Sequence, residues 1–139
     1  MSSIFTRIFS GELPGHFVWK DDLCFAIMTI QPIRSGHLIV IPVEEVDHWD
    51  DLKPATAAHL MQVSQHIAKG MKSVIPCTRI GLTVIGLEVP HTHLHLVPID
   101  NMGDLDFKFA RTMPASELAS VAGKIREALL ALGHDQARF

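Results

Sequence analysis

Apolar and polar positions along the chain alternate between two periods. Ile4, Phe5, Ile8 and Phe9 share one face of a short helix, which Gly11, Pro14 and Gly15 break. Two strands are predicted over 18–20 and 23–30, joined by the turn Asp21-Asp22. The polar turn from Gln31 to Gly36 leads into an apolar run over 37–42, the pattern of a strand covered on both faces. Residues 54–75 read as a helix: Pro54 suits its first turn, Ala57, Met61, Ser64, Ile67 or Ala68, Met71 and Val74 follow at helical spacing, and Pro76 closes it. Strands over 79–85 and 91–99 flank a turn at 86–90. A last helix fits 116–132, with Ser116 as N-cap, Leu118, Val121, Ile125, Leu129 and Leu132 on its apolar face, and Gly133 as the stop. Strands in meander order, interrupted by one long helix and ended by another, predict an α+β fold with helices on an antiparallel sheet.

The run Pro90-His91-Thr92-His93-Leu94-His95-Leu96-Val97 carries the chemistry. In a strand, His91, His93 and His95 line one surface, while Thr92, Leu94 and Leu96 face the other. Three imidazoles on one face have three readings. They are solvated or core-satisfied histidines, or ligands of a metal, or a phosphoryl-transfer site. The outer pair of a straight strand is ~13 Å apart, so one ion cannot take all three. No CxxC, ExxH or HExxH pattern supplies further ligands. In phosphoryl or nucleotidyl transfer, a neutral imidazole serves as nucleophile, and protonated neighbours neutralise phosphate oxygens and protonate a leaving group.

Composition narrows the partners. The 139 residues suit a single domain, and the net charge of −3, from 12 basic and 15 acidic residues, provides no basic stripe for a nucleic-acid polymer. No apolar run approaches membrane-spanning length and no secretory signal is visible, so a cytoplasmic location is expected. Cys24 and Cys77 sit in apolar surroundings and form no metal or redox motif. His16, His59, His66 and His134 read as surface or helix-face histidines.

His91-Thr-His-Leu-His-Leu-Val97 resembles the His-φ-His-φ-His-φ-φ signature (φ apolar) of the histidine triad (HIT) superfamily, with Thr92 the loose fit. Residues 4–14, Asp21-Asp22 and Ser35-Gly-His-Leu-Ile-Val-Ile-Pro42 follow the family's order, so the resemblance spans 4–99. The segment 100–139 is a C-terminal extension beyond it. The resemblance implies a five-stranded antiparallel sheet with two main helices, and a homodimer with a continuous ten-stranded sheet. It implies His93 as nucleophile, His91 orienting and polarising it, His95 contacting the phosphate or leaving group, and His37 completing the network. Ile4, Phe5, Ile8, Ile27, Ile30 and Ile39 match the family's purine pocket. Thr29 stands where many members place an acid for the ribose. Leu87 and Glu88 replace polar donors before the triad, and Glu88 is expected to hold a triad histidine protonated. Some bacterial relatives bind structural zinc at positions that are Ser3, Thr6 and Glu45 here, together with the first triad histidine. With His48 as the one nearby candidate, no structural zinc and no cofactor are expected. The implied activity is hydrolysis or nucleotidyl transfer on an adenosine phosphoramidate through a nucleotidyl-histidine. The alternatives are a dinucleoside polyphosphate hydrolase and a degenerate nucleotide-binding or interaction module.

Overall fold

A computed structural model of the chain describes residues 2–139. Helix α1 (Ile4–Phe9) precedes strands β1 (Phe17–Lys20), β2 (Cys24–Met28) and β3 (Leu38–Pro42). Helix α2 (Pro54–Val74), strands β4 (Arg79–Thr83) and β5 (Leu94–Ile99) and helix α3 (Ala115–Ala131) follow, with short 3-10 turns at Trp49–Asp51, Phe107–Phe109 and Asp135–Ala137. The sheet has the order β1-β2-β3-β5-β4, and every neighbouring pair is antiparallel. This is the expected α+β architecture with two main helices.

The apolar strands divide their side chains between two layers. Cys24, Ala26, Met28, Leu38, Val40, Leu94 and Leu96 face α2 and α3, and Phe25, Ile27, Ile39 and Ile41 face the opposite side. On that second side they meet Phe5, Ile8 and Phe9 of α1. A strand covered on both faces has no use for polar residues, which is why β2 and β3 read as continuous apolar runs. Leu118, Ala122, Ile125 and Leu129 of α3 belong to the main core, so the segment beyond the resemblance is built into the same packing. Among the described residues, no helix is long and apolar enough to cross a membrane.

Several boundaries differ from the sequence expectation for identifiable reasons. The last strand begins at Leu94 rather than His91. Both the backbone N–H and the hydroxyl of Thr92 donate to the Val46 carbonyl, at 2.7 Å each, and His91 N–H donates to Val89 at 2.8 Å. The backbone of 91–92 is thus pinned to a loop and a turn, although the side-chain alternation continues through it. Helix α3 starts at Ala115, preceded by Pro114, so Ser116 is not its N-cap. Gly133 does stop it: its φ is +93°, and the N–H groups of Gly133 and His134 donate to Leu130 and Leu129, closing a Schellman turn. On α2 the buried stripe runs through Leu60, Val63, Ser64, Ile67, Gly70 and Met71, leaving Met61 and Val74 exposed. The small Gly70 lets α2 approach α3, since a Cβ there would lie 2.7 Å from Leu129 Cδ2.

Cys24 does not have the wholly apolar surroundings its neighbours in sequence suggest. Its Sγ lies 3.6 Å from Asp21 Oδ2, and burial together with that carboxylate pushes the thiol pKa upward.

Candidate active site

Register brings the site together. Ile39 of β3 pairs with His95 of β5, and Gly36, at φ +101°, turns the chain so that His37 heads β3. A Cβ at Gly36 would collide with Ile75 Cδ1, so the turn requires glycine on two grounds. His37, His91, His93 and His95 are all buried, none more than 9 % exposed. Each buried nitrogen then needs a partner, and the partners decide where the protons lie.

His93 Nδ1 lies 2.7 Å from the His91 carbonyl oxygen. A carbonyl only accepts, so Nδ1 carries the hydrogen and Nε2 keeps the lone pair. His37 Nδ1 accepts from the backbone N–H of Ile33 at 3.0 Å. The ring's hydrogen therefore sits on Nε2, which donates to His95 Nδ1 at 2.9 Å. That leaves the hydrogen of His95 on its own Nε2. His91 Nε2 donates to the Pro42 carbonyl at 2.7 Å, and its Nδ1 meets Ser3 Oγ at 2.5 Å. The rings form a contiguous row, with centroids 4.8 Å apart between His93 and His95 and 5.2 Å between His95 and His37.

Burial keeps this row neutral. It lowers the pKa of His37 to about 4 and of His95 to about 3, with the neighbouring imidazoles adding to the effect. Burial also lowers that of His93; Glu88 acts on it in the upward direction and is outweighed. The expectation that Glu88 holds a triad histidine protonated therefore fails at His93. A neutral His93 with its lone pair on Nε2 and a neutral His95 with its N–H on Nε2, rather than imidazolium ions, line the site.

Two cavities lie near this row. The first, of about 250 Å³, is lined by His93, His95, Glu88 and Leu87, with Ile85, Gly86 and Phe107. The second, of about 430 Å³, is lined by Ile4, Phe5, Ile8, Ile27, Thr29, Ile30 and Ile39, all seven residues expected around a nucleoside. Phe5, which lines the second, has its ring centroid 4.9 Å from that of His93, which lines the first. Core packing alone would bury these side chains, yet Ile4 is 48 % and Ile30 67 % exposed. They form a rim, which makes the cavity a surface feature.

Sequence reasoning missed several participants. Phe107 sets its ring edge-on to His95 and His37, at 4.9 and 6.1 Å. Met113, Ala115 and Leu118 line the second cavity from the same C-terminal segment, and His16, expected at the surface, lines it too. Ser3 caps α1 by accepting from Thr6 N–H, and its own N–H donates to Glu45 Oε1 at 2.6 Å. Ser3, Thr6, Glu45 and His91 are thus joined by hydrogen bonds. Two hydroxyls, a carboxylate and an imidazole already engaged on both nitrogens do not fit a structural zinc, which favours thiolate and free imidazole ligands.

The family model for the HIT domain matches residues 10–102. A HIT-like protein of Borreliella burgdorferi is 30% identical over 102 residues, covering 68% of this chain and 73% of its own. The adenosine 5'-monophosphoramidase of Saccharomyces cerevisiae is 27% identical over 96 residues, 68% of this chain and 61% of that enzyme. A zinc-bound histidine triad family protein from Mycobacterium smegmatis superposes with a TM-score of 0.83 at 29% identity, covering 96% of each chain.

The lowered imidazole pKa values predict acid sensitivity with a definite sign. The unfolded chain, where histidine titrates near 6.5, binds more protons than the folded one, so stability falls as pH drops from about 6.5 toward 4. Thermal unfolding across that range is expected to show a falling midpoint, with a shallower fall in a His37→Gln/His95→Gln variant. An equal slope in both proteins would contradict the assignment.

Proposed function

The chain belongs to the HIT family, and from that premise we propose that it hydrolyses a phosphoramidate of a purine nucleoside monophosphate through a nucleotidyl-histidine. The observation that carries this reading is the hydrogen bond from His93 Nδ1 to the His91 carbonyl, which leaves Nε2 of a neutral, cavity-lining imidazole as an unprotonated nucleophile. The base rests among the apolar side chains of the larger cavity, at roughly 25 cal/mol per Å² of apolar surface buried. The phosphate lies against His93 and His95.

His93 Nε2 attacks phosphorus, forming a P–N bond to the imidazole as the bond to the amine breaks. His95 Nε2–H donates a hydrogen bond to a phosphate oxygen. The Ile33 N–H occupying His37 Nδ1 opposes any further proton on the His37–His95 pair, so the pair stabilises charge as a fixed donor. A proton from solvent joins the departing nitrogen as its bond to phosphorus breaks, so a neutral amine leaves. In the second step the hydroxyl of a water bonds to phosphorus, the bond to His93 Nε2 breaks, and the water's other proton returns to solvent, so the cycle consumes one water. Glu88 lines the same cavity as His93 and His95. A similarity to the yeast monophosphoramidase supports a P–N substrate, and the intact set His37, His91, His93 and His95 supports turnover over simple binding.

A homodimer belongs to the same reading. Strand β4 is a sheet edge, and Leu82 on it, with Trp49 and Met61 beside it, exposes apolar surface around a groove of about 350 Å³. An unpaired edge beside such a patch favours pairing with a second copy. Light scattering is expected to give the mass of two chains, and the mass of one chain would overturn the pairing.

A fluorogenic adenosine phosphoramidate tests the activity. The protein is expected to turn it over, and His93→Ala to lower the rate by about three orders of magnitude or more while retaining the fold. Absence of turnover, or equal turnover in the variant, would overturn the proposal.

A further inference from the structure

Away from the histidine row, the fold gathers another set of ligand-type side chains from three separate elements. Asp21 lies in the β1–β2 turn, Cys24 opens β2 and His59 lies on α2. Their ligand atoms all fall within 4.8 Å of one another.

Hydrogen bonding alone leaves this cluster oversubscribed. Asp21 Oδ1 accepts the backbone N–H groups of Leu23 and Cys24, both at 2.8 Å, which closes the turn. Oδ2 faces three groups at once: Trp19 Nε1 at 2.8 Å, His59 Nε2 at 2.8 Å and Cys24 Sγ at 3.6 Å. A carboxylate oxygen offers two lone-pair directions. The Trp19 N–H is always a donor and takes one, so the imidazole and the thiol compete for the other. A cation among Oδ2, Nε2 and Sγ turns that competition into coordination.

We propose that Asp21, Cys24 and His59 form a binding site for a divalent transition-metal ion of the zinc class. One sulfur, one nitrogen and one oxygen ligand match the preferences of that class and not those of calcium or magnesium, which take oxygen alone. Charge supports the same choice. A thiolate and a carboxylate balance the two positive charges, so the occupied site is neutral where Cys24 is fully buried. Access comes from the helix side, where the His59 side chain is 29 % exposed, and a water completes the fourth position. The site ties α2 to the β1–β2 turn. It is distinct from the Ser3–Thr6–Glu45–His91 cluster, which has no sulfur ligand.

Cobalt(II) tests this independently of any catalytic activity, because thiolate coordination gives a near-ultraviolet charge-transfer band that histidine coordination lacks. Metal-stripped, reduced full-length protein titrated with cobalt(II) chloride is expected to develop that band at one equivalent, and zinc chloride to abolish it. Cys77→Ser is expected to keep the band. Cys24→Ser is expected to lose it, and His59→Ala, on a part-exposed helix position that leaves the fold intact, to weaken cobalt binding by more than about tenfold. Cobalt bound without the band, as at the triad histidines, would overturn the proposal. So would a band that survives at undiminished affinity in His59→Ala, or one that disappears in Cys77→Ser.

Discussion

Four imidazoles enclosed in a protein interior present eight nitrogens, and a buried nitrogen without a partner is costly. The hydrogen bond from His93 Nδ1 to the carbonyl of His91 is the contact on which the site turns, because it fixes which nitrogen of His93 is free. The same logic runs outward. The backbone N–H of Ile33 fixes His37, and His37 fixes His95. Two backbone groups at opposite ends of the row thereby set the proton positions along it. Burial reinforces them by holding His37, His93 and His95 below the ordinary imidazole pKa.

The sheet makes that enclosure possible. Its central strands are covered on both faces, so His93, just before β5, lies against α1 and His95, on β5, against the C-terminal segment, rather than in open solvent. Ser3 connects these parts: it caps α1 and hydrogen-bonds His91, so the helix that rims the larger cavity is tied to the residue whose carbonyl orients His93. A hydrogen-bonded cluster thus links the N-terminal helix to the triad.

The sheet was legible because a period of two and doubly covered strands leave unmistakable runs, as in Phe25–Met28 and Leu38–Ile41. The resemblance named seven of the residues that line the larger cavity and none of those from the C-terminal segment, whereas periodicity alone could not tell a cavity rim from a core at Ile4 or Ile30. Contacts made by chain segments distant in sequence were not legible. Phe107 reaches His95 from a short 3-10 turn with no period of its own, and Ser3 meets His91 across 88 residues. On α2 the helical spacing found Ser64, Ile67 and Met71, but the stripe takes in Leu60 and Val63 rather than Met61, and Gly70, which is no hydrophobic signal, lies at the close approach to α3. Cys24 and His59 gave no metal spacing, since 35 positions separate them and only the sheet–helix packing brings them to Asp21.

The expectation of a protonated flanking histidine fails at His95, and burial is the reason. From sequence, imidazoles near neutral pH look ready to carry charge; enclosed together, they repel one another's charge and lose water, and remain neutral. Nitrogen-15 NMR of the histidine side chains at pH 7 tests this most directly. The account predicts His93 as the Nδ1–H tautomer and His37 and His95 as Nε2–H tautomers, all uncharged. A His93 protonated at Nε2, or an imidazolium at His95, would contradict it.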